Sequence, residues 1–89
     1  MLFVIIELLA AYREFLVTVP VYVQLASILR GMITSGELQP RAPLPSESYL
    51  QQEQGVSRGT VRMAVAILRD EGLVVTIGGR GTFVSPKNK

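Results

Sequence analysis

The chain has 89 residues and a formal net charge of +2, from nine Lys and Arg against seven Asp and Glu, with neither cysteine nor histidine. A chain of this length makes one small domain with a modest core and no room for a lidded catalytic cavity, so a binder is expected before an enzyme. The missing residue types exclude disulfides, thiolate and imidazole metal ligands and the usual general base; no metal or cofactor is expected, and a reducing cytoplasm is compatible.

Residues 1–17, MLFVIIELLAAYREFLV, form the most apolar run. Glu7, Arg13 and Glu14 interrupt it, no basic segment leads it, and it falls short of the roughly 20 apolar residues that cross a bilayer, so no membrane insertion is expected. Ile5, Leu9, Tyr12 and Leu16 recur at helical spacing, which predicts an amphipathic helix with a broad oily face. Val17 to Val19 read as extended, and Pro20 fits the first turn of a second helix over about 20–35. That helix collects Tyr22, Leu25, Leu29, Met32 and Ile33 on one side and ends at Gly36.

Pro40, Pro43 and Pro45 predict a stiff, extended connector. Ser46 then caps a short helix through about Gln54, with Glu47 at its positive end. Gly55 breaks this helix, Val56 turns inward, and Ser57 caps another that runs to about Glu71 and stops at Gly72. Two helices joined by a short glycine-containing turn outline a helix-turn-helix. Leu73–Ile77 read as a strand, Gly78–Gly81 as a flexible tip carrying Arg80, and Thr82–Val84 as the returning strand, a wing. Residues 86–89 read as a loose tail. The predicted fold is mainly α with a small β-hairpin: a winged helix-turn-helix over 20–85, with three core helices, a wing and an extra N-terminal helix at 1–17.

Charge is unevenly placed. From residue 41 onward Arg41, Arg58, Arg62, Arg69, Arg80, Lys87 and Lys89 face Glu47, Glu53, Asp70 and Glu71, whereas the first forty residues hold Arg13 and Arg30 against Glu7, Glu14 and Glu37. An anionic partner is expected to dock on the second half. The helix after Ser57 carries Arg58 and Arg62 in its first turns, where the dipole favours negative charge. On a helical wheel Arg58, Arg62 and Arg69 fall within roughly 40° of one another. Val61, Ala64, Val65 and Leu68 take the core side, and Gly59, Met63 and Ala66 lie largely opposite them. Guanidinium groups among small or flexible neighbours suit close approach to a duplex, whose major groove, about 12 Å wide, admits a helix. Arginine can then pair with guanine or clamp phosphate, while Ser57, Thr60 and the free amides of the first turn can donate to an anion. The alternative is a solvated face, and for Arg69, near the favourable C-terminal end of the dipole, the two readings weigh about equally. Arg80 suits a backbone or minor-groove contact from the wing.

Two motifs fail on inspection. Gly55-Val56-Ser57-Arg58-Gly59 satisfies G-x-S-x-G, but without histidine the serine has no base and is a cap. Gly78-Gly79-Arg80-Gly81 lacks the lysine and hydroxyl of a P-loop. Asp70 and Glu71 project differently on a helix and make neither an acid pair nor a metal site.

Tyr22-x-Gln24-Leu25-Ala26, Leu44-Pro45-Ser46-Glu47, Val56 through Arg62, Glu71-Gly72-Leu73-Val74 and Gly79 through Val84 together resemble the N-terminal winged helix-turn-helix domain of the GntR family of bacterial transcription regulators. The resemblance implies dimeric binding to an inverted-repeat operator. Arg58, Gly59, Thr60 and Arg62 would lie at the DNA with the wing tip Gly79, Arg80 and Gly81, and Glu47 would be the acid that orients this surface. Two positions depart from the family. Arg41 stands where many members have glycine, which alters the turn and offers a phosphate contact. Ser48 stands where many carry a DNA-touching arginine, which puts that contact in question.

Family members normally continue into an effector-binding, dimerising domain, whereas this sequence stops just past the wing. The expectation is a free-standing module or a truncated product, with no small-molecule effector site evident in it. The helix at 1–17 lies outside the resemblance; it pairs with its twin through Ile5, Leu9, Tyr12 and Leu16, folds back on its own domain, or is a translated leader. The function expected is a sequence-specific double-stranded DNA-binding transcription regulator, by analogy a repressor. The competing reading is a winged-helix protein-interaction module.

Overall fold

In a computed structural model the chain is described from residue 2 to residue 86, apart from the side chains of residues 2–6, 15 and 16. Four helices precede a hairpin: α1 (Leu2–Thr18), α2 (Val21–Thr34), α3 (Glu47–Gln54), α4 (Arg58–Asp70), β1 (Val74–Ile77) and β2 (Gly81–Val84). The side chains of Ile5 and Leu16 and the tail residues Lys87 to Lys89, on which sequence expectations were placed, lie outside the described residues.

The predicted apolar periodicities become one core. Leu25, Ala26, Leu29 and Ile33 of α2 meet Val61, Ala64 and Leu68 of α4, with Leu50 from α3 and Val74 and Val84 from the base of the hairpin. Burying such side chains is the main favourable contribution, and truncating one as enclosed as Leu29, 1% exposed, costs about 2–5 kcal/mol. α4 is terminated as its sequence requires. Gly72 adopts φ +77°, and the N–H groups of Gly72 and Leu73 donate to the carbonyls of Arg69 and Leu68 at 3.0 Å each. This is the double bond of a Schellman end.

Several boundaries differ from expectation. Val17 and Thr18 continue α1 as exposed residues, since β-branching lowers helix propensity only slightly. Pro20 is the N-cap of α2 and lies outside its first turn; its carbonyl accepts from the N–H groups of Val23 and Gln24 at 3.0 and 3.2 Å. Leu73 is absorbed by the helix ending, so β1 starts at Val74, and Gly81 joins β2, which leaves Gly78–Arg80 as the tip. Arg80 N–H bonds to Ile77 O at 2.9 Å. With φ +76° at Gly79, that geometry points to a type II turn, which favours glycine at its third position.

The proline-rich connector does more than span a gap. Arg41 N–H donates to Val84 O at 2.9 Å, Val84 N–H to Ala42 O at 2.8 Å and Leu44 N–H to Thr82 O at 2.9 Å. It therefore runs along the outer edge of β2, with a bridge between Pro43 and Phe83, and covers backbone groups that an edge strand would leave open. β2 is held on both sides.

α1 stands apart from this arrangement. Every described side chain from Glu7 to Glu14 is exposed, Leu8, Leu9 and Tyr12 at 65, 63 and 62%. Among the described residues no helix is long and apolar enough to cross a membrane.

Arg30 of α2 clasps Glu71, the C-cap of α4, through two hydrogen bonds of 2.9 and 2.7 Å. The bonds from Arg30 hold the Glu71 carboxyl below its ordinary value and raise the Arg30 guanidinium above its own. A lowered carboxyl contributes stability above its unfolded value, about pH 4.3, which is lost as the pH falls through the folded value. Arg30→Ala should therefore unfold at lower denaturant than the parent at pH 7, and the gap should close toward pH 3. A gap that stays constant in a denaturant series across this range would show that the pair has no such linkage.

Candidate nucleic-acid interface

α3 and α4 are joined by a turn that the sequence specifies at three points. Gly55 takes the left-handed conformation that ends α3, with φ +65°. Val56 packs against the core. Ser57 is extended, with ψ 163°, and its Oγ accepts from Thr60 N–H at 3.1 Å. The Ser57 hydroxyl also donates to Thr60 Oγ1 at 3.1 Å. Ser57 thus spends its proton inside the cap, and of the two predicted hydroxyl donors Thr60 keeps an O–H that can point outward.

The charges at the positive end of α4 find an internal counterion. Ser46 caps α3 by accepting from Tyr49 N–H at 3.1 Å, which sets Glu47 in the first turn. From there the Glu47 carboxylate accepts from Arg62 Nε at 3.0 Å through one oxygen. Its other oxygen lies 3.7 Å from Arg58 Nε. Both arginine side chains stay about two-thirds exposed, at 65 and 63%. Such exposed pairs are weak, about 0–1 kcal/mol; they orient the guanidinium groups without consuming them. Ser48, the residue after Glu47 in α3, is exposed, as is Gly59 on α4. A Cβ at Gly59 would meet its nearest atom, Ser57 Oγ, at an ordinary 3.8 Å, so the small residue leaves room on the outer side.

The wing stands beside this face. Its register pairs Val74 with Val84 and Thr76 with Thr82, and these four share the side that continues from the core. Between α4 and the wing lies an open cleft of about 660 Å³ whose walls include Arg62, Arg69 and Arg80. The other wing face carries Val75, Ile77 and Phe83, and there a shallower groove of about 410 Å³ includes Arg41 and Arg80. Arg80 therefore borders both sides, while Arg41 is separated from the α4 face by the wing.

Arg41 is also the one non-glycine residue with positive φ, 72°, among the described residues. Many members of the resembled family have glycine here, and the positive φ shows what glycine would relieve. For Arg69, where a solvated face and a DNA contact weigh equally in the sequence, the exposed side chain donates from Nε to Thr76 Oγ1 at 3.2 Å. No local pattern announces that pair, because it depends on how the hairpin folds back on α4.

The family described as "Bacterial regulatory proteins, gntR family" matches residues 21–84. The chain is 49% identical over 67 residues to the HTH-type transcriptional repressor NagR of Bacillus subtilis (strain 168), covering 75% of this chain and 28% of that protein. It is 48% identical over 65 residues to the mannosyl-D-glycerate transport/metabolism system repressor MngR of Escherichia coli (strain K12), covering 73% and 27%. The chain thus spans little more than a quarter of the length of these curated relatives. Among solved structures it is similar to AraR(DBD) in complex with operator ORR3, with TM-score 0.71 and 38% identity over 74% of this chain and 80% of that one.

Left-handed backbone costs a residue with a Cβ roughly 1–2 kcal/mol relative to glycine. Arg41→Gly keeps the N–H that bonds to Val84 and should stabilise the domain by about 1 kcal/mol, read as a raised midpoint in chemical denaturation; an unchanged or lowered midpoint would show that the arginine side chain itself holds the turn.

Proposed function

Starting from the fact that this chain belongs to the gntR family of bacterial regulatory proteins, we propose that it is a sequence-specific double-stranded DNA-binding module that represses transcription by occupying an operator in the cytoplasm. The observation that carries this reading is the outward face of α4. Two oriented arginines, a capped helix start and a small residue sit beside a wing arginine, in a fold that AraR(DBD) uses in complex with operators ORR3 and ORE1.

A helix of roughly 10–12 Å diameter fills a major groove about 12 Å wide. With α4 inserted, Arg62 and Arg58 reach base edges or phosphate, Thr60 donates its hydroxyl, and Gly59 lets the backbone come close. Ser57 presents the first-turn amides through its cap. Glu47 keeps the two guanidinium groups aimed in the free protein, and docking exchanges that weak pairing for bidentate bonds worth about 1–3 kcal/mol. Ser48 lies at the rim of the same surface. Gly79, Arg80 and Gly81 bring the wing tip to the neighbouring backbone or minor groove, and Arg41 reaches a flanking phosphate on the wing's far side. Nothing in this arrangement calls for catalysis.

The reading extends to a dimer through α1. Leu9 and Tyr12 lie on one face of a helix whose described side chains are exposed, and a second copy supplies a matching face by two-fold symmetry. Each such side chain withdrawn from water contributes about 1.5–3 kcal/mol, enough for a few to offset association costs. Two modules so joined would meet the two halves of an inverted repeat.

Fragments selected from random DNA should bind with affinity that falls about 10³- to 10⁵-fold between 50 and 200 mM salt if roughly 6–10 phosphates are contacted. Arg62→Ala should cost about 1–3 kcal/mol and relax base preference at one position. Salt-insensitive binding, or parental affinity in that variant, would favour the protein-interaction reading. In sedimentation, the full chain should have twice the protomer mass and a chain lacking residues 1–17 the mass of one; equal monomeric masses would remove α1 from dimerisation.

A further inference from the structure

Two strands of four residues make a hairpin too short to hold itself in water, so something outside the wing must fix it. Its base is secured by Val74 and Val84 in the core and by the connector along β2. Beyond Val74 every residue of β1 is exposed, and the tip beyond it carries Gly78 and Gly79. The connector's backbone bonds reach Thr82 but run to the connector and not to α4, so they leave the distance between the tip and α4 open.

A polar relay closes that distance. Arg69, in the last turn of α4, donates from Nε to Thr76 Oγ1 at 3.2 Å. Thr76 Oγ1 lies 3.0 Å from Thr82 Oγ1 on the opposite strand. Thr76 Oγ1 takes the guanidinium N–H, and a hydroxyl with two lone pairs and one proton can at the same time share a bond with Thr82 Oγ1, in which either oxygen can be the donor. The relay ties both strands of the wing to the recognition helix, at a point between the buried base and the tip. Arginine suits the task because its planar group can bond through Nε and keep its terminal nitrogens as further donors, in a cleft that Arg62, Arg69 and Arg80 all line. Lysine has no second donor at that position.

We propose that Arg69 is a positioning residue that sets the wing's separation from α4, so that Arg80 and the arginines of α4 meet one duplex in a single register. The proposal rests on the DNA-binding reading above. A wing already ordered in the free protein loses less freedom on docking, which favours affinity without adding a contact.

The test has one readout without DNA and one with it, on the full chain. Backbone ¹⁵N order parameters of residues 77–81 should drop from near the rigid value, about 0.85, toward the flexible range below about 0.6 in Arg69→Ala and in Thr76→Val. The second variant keeps a β-branched side chain and guards against a fold that fails. Arg69→Lys, which keeps the charge but not the Nε donor, should behave as Arg69→Ala. On fragments selected from random DNA, Arg80→Ala should weaken binding about tenfold in the parent, the loss of one charge-assisted contact, but less than about twofold once Arg69 is alanine. Unchanged order parameters would overturn the proposal. So would an Arg80→Ala effect equal in both backgrounds, with Arg69→Lys at parental affinity, since Arg69 would then be an independent phosphate contact. Lowered order parameters in proteins that bind no fragment would support the tie between Arg69 and the wing while overturning the DNA-binding reading.

Discussion

The packing of α4 against α2 is the constraint from which the rest follows. Val61, Ala64 and Leu68 bury completely, and because side chains on a helix are fixed at about 100° intervals, burying that stripe dictates which residues must face outward. Arg58 and Arg62 are exposed because the helix has no other face left for them. The Schellman end at Gly72 and the cap at Ser57 fix where α4 begins and stops, and so which turn of the helix meets the Glu47 carboxylate.

The same packing explains how a helix can carry arginines at its positive end. Their repulsion with the dipole is an effect of about 0.3–1 kcal/mol at an exposed site, comparable to what the Glu47 pairing returns. The balance leaves the charges in place and nearly unspent, available to the DNA contact proposed above. Arg41 is a second local rule broken on this surface: a left-handed arginine beside the wing, where glycine would be less strained. Its groove lies on the side of the wing away from α4, where Arg41 and Arg80 are the two arginines that line it.

Much of the fold can be read directly from residue spacing. The stripe Leu25, Leu29, Ile33 and the stripe Val61, Ala64, Leu68 are periodic; Ser46, Ser57, Gly55 and Gly72 are local signals acting over one turn of chain. These features need only neighbouring residues to act. The placement of Arg58 and Arg62 on one outward face follows from them. The connector was legible as extended, because three prolines impose that locally, but not as a partner of β2, because its hydrogen bonds join residues about forty positions apart.

Sequence alone therefore determined the elements, the core stripes and the family, since each is written in contacts within a few residues or in motifs at fixed offsets. Only the folded chain decided that Glu47 would sit against two arginines, that Arg30 would clasp Glu71, and that Arg69 would reach Thr76. Those pairs are polar and exposed, so no burial pattern marks them in the chain. They form because the core brings distant helices and the hairpin to fixed distances, and a hydrogen bond responds to distance and angle, which periodicity does not encode.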